Sequence, residues 1–430
     1  MSSGADAFVA TCDLVGHVTG RSVPAERHDA LLRSGVGWLP ADLAMTTFGQ
    51  IISGTPFTSR GDLRLMPDAA TGVEVPADGA HPALRLYLGD VTTMDGQPWH
   101  CCPRSFLRQT LADLRRETGL RVLASFEHEF VLHGLPASLP LSLRRHRDAE
   151  PFGHDLVRLL TACGMEPETW LPEYGAQQFE ITLAPSDGLV AADRAVLLRE
   201  LVRDLALRRG LSASFAPLQD EAGTGSGVHV HLSFVDEQGE PVLLDDSRPG
   251  RLSQVGMRFA AGLLHHAPAV MAWTAPSPVS FLRLVPDRWS AGGVFLGVAD
   301  REALLRICPT TSVDPAGAAR QFNLEYRAAD ATANPWLTLA VVLRAGLAGI
   351  TGGDACPEPV VWETTPRDGQ VPSMPGSVEE ALRALESDSV AAAWFPPDLL
   401  RTHLGVRRHD DAALADLPVA ERLARIARAY

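Results

Sequence analysis

Ala124-Ser125-Phe126-Glu127-His128-Glu129-Phe130-Val131-Leu132 sets two carboxylates one residue apart inside an otherwise apolar run. Read as a strand, it turns Glu127 and Glu129 to one face, their roots roughly 7 Å apart, and Phe126, His128 and Phe130 to the other. Like charges held side by side in an apolar segment repel each other and lose hydration unless a cation lies between them. The stretch therefore predicts a half-buried strand carrying part of a cation site, and the rest of the chain has to supply the other ligands.

Three further segments repeat the arrangement. Gln178 and Glu180 follow Glu173 after a short loop, and Gly225-Ser226-Gly227-Val228-His229-Val230-His231-Leu232-Ser233 puts His229 and His231 on one face. Leu324-Glu325-Tyr326-Arg327 does the same for Glu325 and Arg327, with Leu324 and Tyr326 opposite. One such acidic pair is most often a solvated strand face, and a lone His in an apolar strand is usually just packed. Four pairs in one chain are hard to obtain from solvated faces alone. A sheet curved around them gathers five glutamates, two histidines and an arginine into one cavity. Clustered carboxylates require divalent ions, and mostly oxygen donors favour Mg²⁺ or Mn²⁺ over zinc. Two hard cations near each other suit phosphoryl transfer from a nucleotide.

Around these segments, Phe8 to about Pro103 alternates short apolar runs with Gly, Pro and Asp turns, which predicts a small β-rich domain over 1–103 with a turn at Asp95-Gly96. A helical pattern opens with Phe106, Leu107, Leu111 and Leu114 and stops at Gly119. Over 104–430, strands alternate with amphipathic helices at about 189–209, 251–266, 335–349 and 377–387, the last opened by a Ser377-x-x-Glu380 capping box. Leu135 to Phe152, with its prolines and Arg144, Arg145, His146 and Arg147, reads as an irregular surface loop. The class expected is α+β.

With 46% hydrophobic and 21% charged residues, the chain of 430 residues can bury a large core. A net charge of −14 argues against nucleic acid or an anionic membrane as main partner. There is no lysine, which removes any lysine Schiff base or P-loop lysine and leaves guanidiniums to handle carboxylates and phosphates. Six scattered cysteines without a C-x-x-C suggest neither a disulfide framework nor a zinc knuckle. The most apolar run, Pro335 to Ile350, is interrupted by Arg344 and reads as a buried helix, so an unanchored cytoplasmic protein is expected.

The motifs resemble those of glutamine synthetases, in the bacterial type I-like form, and are closest in character to the γ-glutamyl-amine ligases (polyamine or ethanolamine type) of that superfamily. Glu127-His128-Glu129-Phe130 matches the family's E-x-E-F, and Glu173 with Gln178-x-Glu180 its E…Q-x-E element. The segment Gly225 to His231 matches G-S-G-M-H-x-H, and Arg301 with Arg306, Glu325-Tyr326-Arg327 and Ala333-Asn334-Pro335 complete the set. In the first domain, Asp62 to Asp68 and Asp95-Gly96-x-Pro98 resemble the family's β-grasp-like domain. The resemblance implies a β-grasp-like domain followed by a catalytic domain with a curved antiparallel half-barrel backed by helices.

It also implies residue roles. Glu129, Glu173 and Glu180 would hold one metal, and Glu127, His229 and Glu325 another that bridges the phosphates of ATP, with two or three Mg²⁺ (or Mn²⁺) per site. Arg301 and Arg306 would stabilise the transferred phosphoryl group. Arg283 and Arg327 would take the α-carboxylate of glutamate beside the flexible Gly225, while His231, Ser233 and Glu168 fall on the nucleotide side. His128, pointing away, is no ligand. ATP would phosphorylate the γ-carboxylate, and a nitrogen nucleophile would then displace phosphate to form a γ-amide. A dodecamer of two stacked hexameric rings would be expected, with the N-terminal domain completing a neighbour's site.

Departures from the family pattern bear on the nucleophile. The loop Thr46-Thr47-Phe48-Gly49-Gln50-Ile51 has no carboxylate where true glutamine synthetases place an Asp, and the flap Leu284-Val285-Pro286-Asp287-Arg288-Trp289 puts Trp289 where a Glu would fall. An ammonium ion needs anionic or carbonyl partners, whereas an alkyl amine gains from aromatic walls. The expected activity is thus ATP-dependent coupling of glutamate to an organic amine. Glutamine synthesis from ammonium, for which Asp287 is the remaining flap carboxylate, and a non-catalytic oligomer are the alternatives. Val279, Leu282 and Asn323 replace family Asn, Lys and Arg, which leaves an acid other than glutamate open.

Overall fold

A computed structural model describes residues 5–430. Its first sheet contains β1 (Asp6–Cys12), β2 (Val18–Val23), β3 (Val36–Trp38), β4 (Leu63–Pro67), β5 (Val73–Val75) and β6 (Leu84–Thr92), with α1 (His28–Ser34) between β2 and β3. The long β6 is central, parallel to β1 on one side and antiparallel to β4 on the other. A small mixed sheet with one helix packed on β4 is a β-grasp-like arrangement. Past β6, the Asp95-Gly96 turn forms as expected: Gly96 takes φ 81° and the Thr93 N–H donates to Gln97 O at 2.8 Å. α2 (Pro103–Thr118) then starts with proline in its first turn and ends on Gly119 at φ 72°, a left-handed cap.

The second sheet has ten strands: β7 (Arg121–His133), β8 (Pro167–Pro172), β9 (Gln178–Leu183), β10 (Ser186–Asp187), β11 (Ser212–Ser214), β12 (Val228–Val235), β13 (Gly293–Val298), β14 (Ala303–Ile307), β15 (Leu324–Tyr326) and β16 (Val361–Trp362). Its order is β16-β13-β14-β15-β12-β7-β9-β8, antiparallel from β14 to β8, with β13 parallel to both β14 and β16. β7 runs along its middle. Val122, Ala124, Phe126, His128, Phe130 and Leu132 are buried, while Leu123, Ser125, Glu127, Glu129 and Val131 are half-buried on the other face. That alternation gives the curved half-barrel sheet a dry convex side and a polar concave side.

The helices that follow are α3 (Leu143–Ala162), α4 (Gly188–Arg208), α5 (Gln254–His265), α6 (Ala267–Thr274), α7 (Ser280–Arg283), α8 (Pro315–Gln321), α9 (Pro335–Thr351), α10 (Val378–Ser387), α11 (Ser389–Ala392), α12 (Pro397–Leu414) and α13 (Val419–Ala429), of which α3, α4 and α5 pack directly on the sheet and α9 packs on α2, α4, α5 and α6. The fold is therefore α+β, as the sequence suggests. In the buried α9, Arg344 satisfies its charge on Asp113 at 2.6 Å and Thr110 at 3.0 Å of α2. Ser377 caps α10 as expected, accepting from the Glu380 N–H at 3.2 Å, while the Glu380 carboxylate accepts from the Gly376 N–H at 2.7 Å, one residue before the cap. No helix among the described residues is long and apolar enough to cross a membrane.

One expectation fails. Much of 135–152 is helical rather than irregular: α3 starts at Leu143, capped by Ser142 Oγ, which accepts from the Arg145 N–H at 3.1 Å. The arginines that suggested a loop are what hold it, since Arg144 pairs with Asp148, and Arg147 with Glu150, along one helix face. Arg145 turns inward and donates to the Glu173, Gly175 and Ser138 carbonyls at 2.6 Å. Pro151 lies inside the helix and has no N–H for the carbonyl four residues back.

A buried arginine ties the first sheet to α4. Arg104, at the start of α2, donates to Asp90 at 2.8 Å and Asp68 at 2.9 Å from the first sheet, and to both oxygens of Asp193 on α4 at 2.9 and 2.7 Å. Asp193 also accepts from Trp336 Nε1 at 2.8 Å, so the charge is shared with the foot of α9.

Candidate active site

Register brings the polar residues together. Glu129 faces Glu180 across β7 and β9, Glu127 faces His229 across β7 and β12, and Glu325 faces His231 on one side and Arg306 on the other. They open into a cavity of about 900 Å³ on the concave face. Glu173, Gly225, Arg283, Trp289, Arg301 and Arg327 line it as well. Two expected residues do not. Glu168 is exposed in a bulge of the edge strand β8, and Ser233, farther along the face shared with His229 and His231, donates to Phe322 O at 3.2 Å.

Two triads have ligand atoms close enough to share an ion. Oxygens of Glu129, Glu173 and Glu180 lie within 4.8 Å of one another, and so do ligand atoms of Glu127, His231 and Glu325. The first is the triad the motifs imply. In the second the sequence favours His229, whereas the geometry brings in both imidazoles: His229 Nδ1 lies 2.9 Å from Glu127 and 3.5 Å from Glu325, and His231 Nε2 lies 3.5 Å from Glu127. His128 faces the core, wedged between Phe126 and Phe215, and burial lowers its pKa to about 3, so it stays neutral.

The carboxylates show a shortage of positive charge. Burial first, then repulsion from Glu127, Glu129 and Glu173, pushes Glu180 up to about 10, and burial beside Glu129 raises Glu173 as well. Glu127 resists its own burial because the two imidazoles hold it ionised, and Glu325 is held down to about 2 by Arg327 and the same imidazoles despite burial. A divalent ion between Glu129, Glu173 and Glu180 would relieve this repulsion, and the all-oxygen donor set fits a hard cation.

Backbone approaches explain the glycines. A Cβ on Gly225 would fall 2.4 Å from Arg283 Cγ, and Gly227 offers its N–H to Glu129 at 2.7 Å. Gln178 Nε2 holds the same loop by donating to Gly225 O at 2.8 Å. Arg283 donates to the Ala328 and Ala329 carbonyls at 3.1 and 2.9 Å, and the buried Nε atoms of Arg283 and Arg306 have no partner among the described residues. Arg306 donates to Glu325 at 2.8 Å. Arg327 is spent inside the protein, on Glu325, on the Ser290 and Arg301 carbonyls, and on Trp289 O at 2.9 Å.

That last set of bonds anchors the flap. Asp287 and Trp289 both hold positive φ, and both N–H groups donate to one carboxylate, Glu302, at 3.2 and 2.7 Å. Trp289 is 71% exposed at the mouth, its ring 6.4 Å from Tyr174, which is also exposed, with Leu141 nearby in the cavity wall. Sequence reading missed Glu302, Tyr174 and Leu141, and marked Asn323 only as the replacement of a family Arg, whereas its Oδ1 accepts from His231 Nδ1 at 2.9 Å. Tyr174 follows Glu173 directly, and that adjacency was the available signal. Glu302 acts only through backbone amides and leaves none.

A half-barrel holding one triad of carboxylates and a second of two carboxylates and an imidazole, with arginines in the same cavity, suits metal-assisted phosphoryl transfer. Comparison with known proteins agrees. The family model for the glutamine synthetase catalytic domain matches residues 100–421, and that for the glutamine synthetase N-terminal domain matches 7–99. The chain belongs to the glutamine synthetase family. It is 32% identical to a γ-glutamylpolyamine synthetase of Streptomyces coelicolor over 93% of this chain and 88% of that one. It is 30% identical to a glutamine synthetase of Halobacterium salinarum over the same shares. Among solved structures, a novel glutamine synthase homolog superposes with TM-score 0.92 at 41% identity, covering 100% of this chain and 99% of that one.

Proposed function

We propose that the protein phosphorylates the γ-carboxylate of glutamate with ATP and transfers the acyl group to an organic amine, releasing phosphate and a γ-glutamyl amide. Divalent ions, Mg²⁺ or Mn²⁺, would neutralise nucleotide phosphate charge when bound. Glu129, Glu173 and Glu180 would hold one, and Glu127 and Glu325, with His229 and His231, another. Arg301 and Arg306 face the phosphoryl group in transfer, and Arg283 takes the α-carboxylate. Arg327 serves by fixing the flap and orienting Glu325.

The observation that carries the choice of nucleophile is the exposed Trp289 at the mouth, opposite Tyr174, where an ammonium-using site would need a carboxylate. The relative named for γ-glutamylpolyamine synthesis points the same way. Ammonium remains the second reading because Asp287 lines the same cavity. No residue before Glu127 lines the cavity among the described residues. Thr47 of the first domain instead bonds Asp410 of its own chain at 2.8 Å. A neighbour completing the wall, in a dodecamer of stacked hexameric rings, fits that openness. The test is isotopic: with ¹⁸O in the γ-carboxylate of glutamate, one labelled oxygen should leave in phosphate for each amide formed. Unlabelled phosphate would sink acyl-phosphate formation.

A further inference from the structure

Outside the cavity, three side chains converge where α5 ends. A ring nitrogen of His265, one of His266 and the sulfur of Cys356 lie within 4.8 Å of one another. Their donors differ in kind from the active-site triads, being two imidazoles and a thiol in place of carboxylates, and none of the three lines the 900 Å³ cavity. His266 and Cys356 are buried, whereas His265 is exposed, so the cluster is open to solvent on one side.

Supporting groups fix this geometry. His266 Nδ1 lies 2.6 Å from Asp388 Oδ2, and Asp388 is itself held by the Val390 and Ala391 N–H groups at 3.1 and 3.0 Å. The His266 ring is steadied edge-on against Trp394 at 5.3 Å. With Nδ1 committed to a carboxylate, the nitrogen left to bind a cation is Nε2. A carboxylate behind an imidazole in this way sets the tautomer and raises the basicity of a metal-binding histidine. The segment bearing Cys356 is tied back to α5: Arg258 donates to Gly353 O at 2.9 Å, and Gln254 donates to Glu358. The three ligands thus come from the end of α5 and the stretch after α9, with their support from the junction of α10 and α11.

We infer that His265, His266 and Cys356 form a metal site separate from those of the cavity, for a borderline-soft divalent ion of the Zn²⁺ class, which joins these elements and keeps its fourth position for water. Two neutral imidazoles and a thiolate match the nitrogen and sulfur preference of that ion, while Mg²⁺ and Mn²⁺ prefer the carboxylates of the cavity. On binding, the Cys356 thiol releases one proton to solvent, and the ion gains one sulfur and two nitrogen bonds in place of water.

Co²⁺, titrated into the metal-free full-length protein in excess Mg²⁺, is the probe. A thiolate-to-cobalt charge-transfer absorption should grow to one equivalent per chain. It should vanish in Cys356→Ser, weaken at least tenfold in His265→Ala and persist in Cys308→Ser, which removes the thiol 3.6 Å from Glu325 in the active site. His265 is exposed, so its variant keeps the test valid if Cys356→Ser misfolds. Mg²⁺-dependent turnover should be unchanged in Cys356→Ser and in His265→Ala. Absence of the absorption, or its loss in Cys308→Ser with retention in Cys356→Ser, would overturn the site without touching the ligase assignment.

Discussion

Replacing Glu180 by Gln tests the first metal triad while keeping shape. An ion equidistant from three oxygens no more than 4.8 Å apart sits within about 2.8 Å of each, hence about 4 Å from the charge centre of the Glu180 carboxylate. At an effective dielectric near 20, a divalent ion there gains about 8 kcal/mol from one carboxylate. Against this stands the removal of the proton that Glu180, pushed up to about 10, still holds at pH 7, about 4 kcal/mol. The net, about 4 kcal/mol, is roughly a thousandfold in metal affinity. Titration calorimetry in buffers of different ionisation enthalpy should show Glu180→Gln binding the tightest Mn²⁺ that much more weakly and releasing one proton fewer. The sign without metal is opposite. Because the folded value lies above the ordinary 4.5, folding favours the protonated form, and this stability is lost as pH rises towards 10. Metal-free Glu180→Gln should therefore lack that decline, which runs from about pH 4.5 to about 10. Equal Mn²⁺ affinity and equal proton release in the two proteins would refute the triad.

Other positions give independent tests. Trp289→Ala should lower kcat/KM for amines about tenfold through loss of the aromatic wall, and Trp289→Glu should shift preference towards ammonium, both read by initial rates. In Glu302→Ala the flap loses both amide acceptors, so KM should rise roughly tenfold with little change in kcat, as two ordinary hydrogen bonds imply. Arg104→Ala strands the buried Asp193 and frees the first sheet from α4; denaturant unfolding should record a loss of about 3–5 kcal/mol.

The strand containing Glu127 and Glu129 was legible because period-two burial leaves a signature in any half-buried strand, and its observed limits, Arg121–His133, enclose the stretch Ala124 to Leu132 that shows it. That the paired residues share one cavity was legible for the same reason, since each i, i+2 pair names its own face, whereas their division between two triads came from the resemblance. What stayed hidden depends on contacts between distant segments. That both His229 and His231 reach Glu127 and Glu325 follows from the register of β12 with two neighbours at once. Similarly, α3 was obscured because its arginines and Pro151 look loop-like until their partners along the helix are seen. The His265–His266–Cys356 cluster joins residues about ninety positions apart, and no spacing rule connects them.

The central claim, an amine in place of ammonium, is tested most directly by phosphate release with ATP, Mg²⁺ and glutamate, comparing kcat/KM for ammonium with a panel of alkyl, hydroxyalkyl and polyamine nucleophiles. At least one organic amine should exceed ammonium by more than tenfold and yield the γ-glutamyl amide by mass spectrometry. Ammonium outperforming every amine, with glutamine as product, would contradict the account.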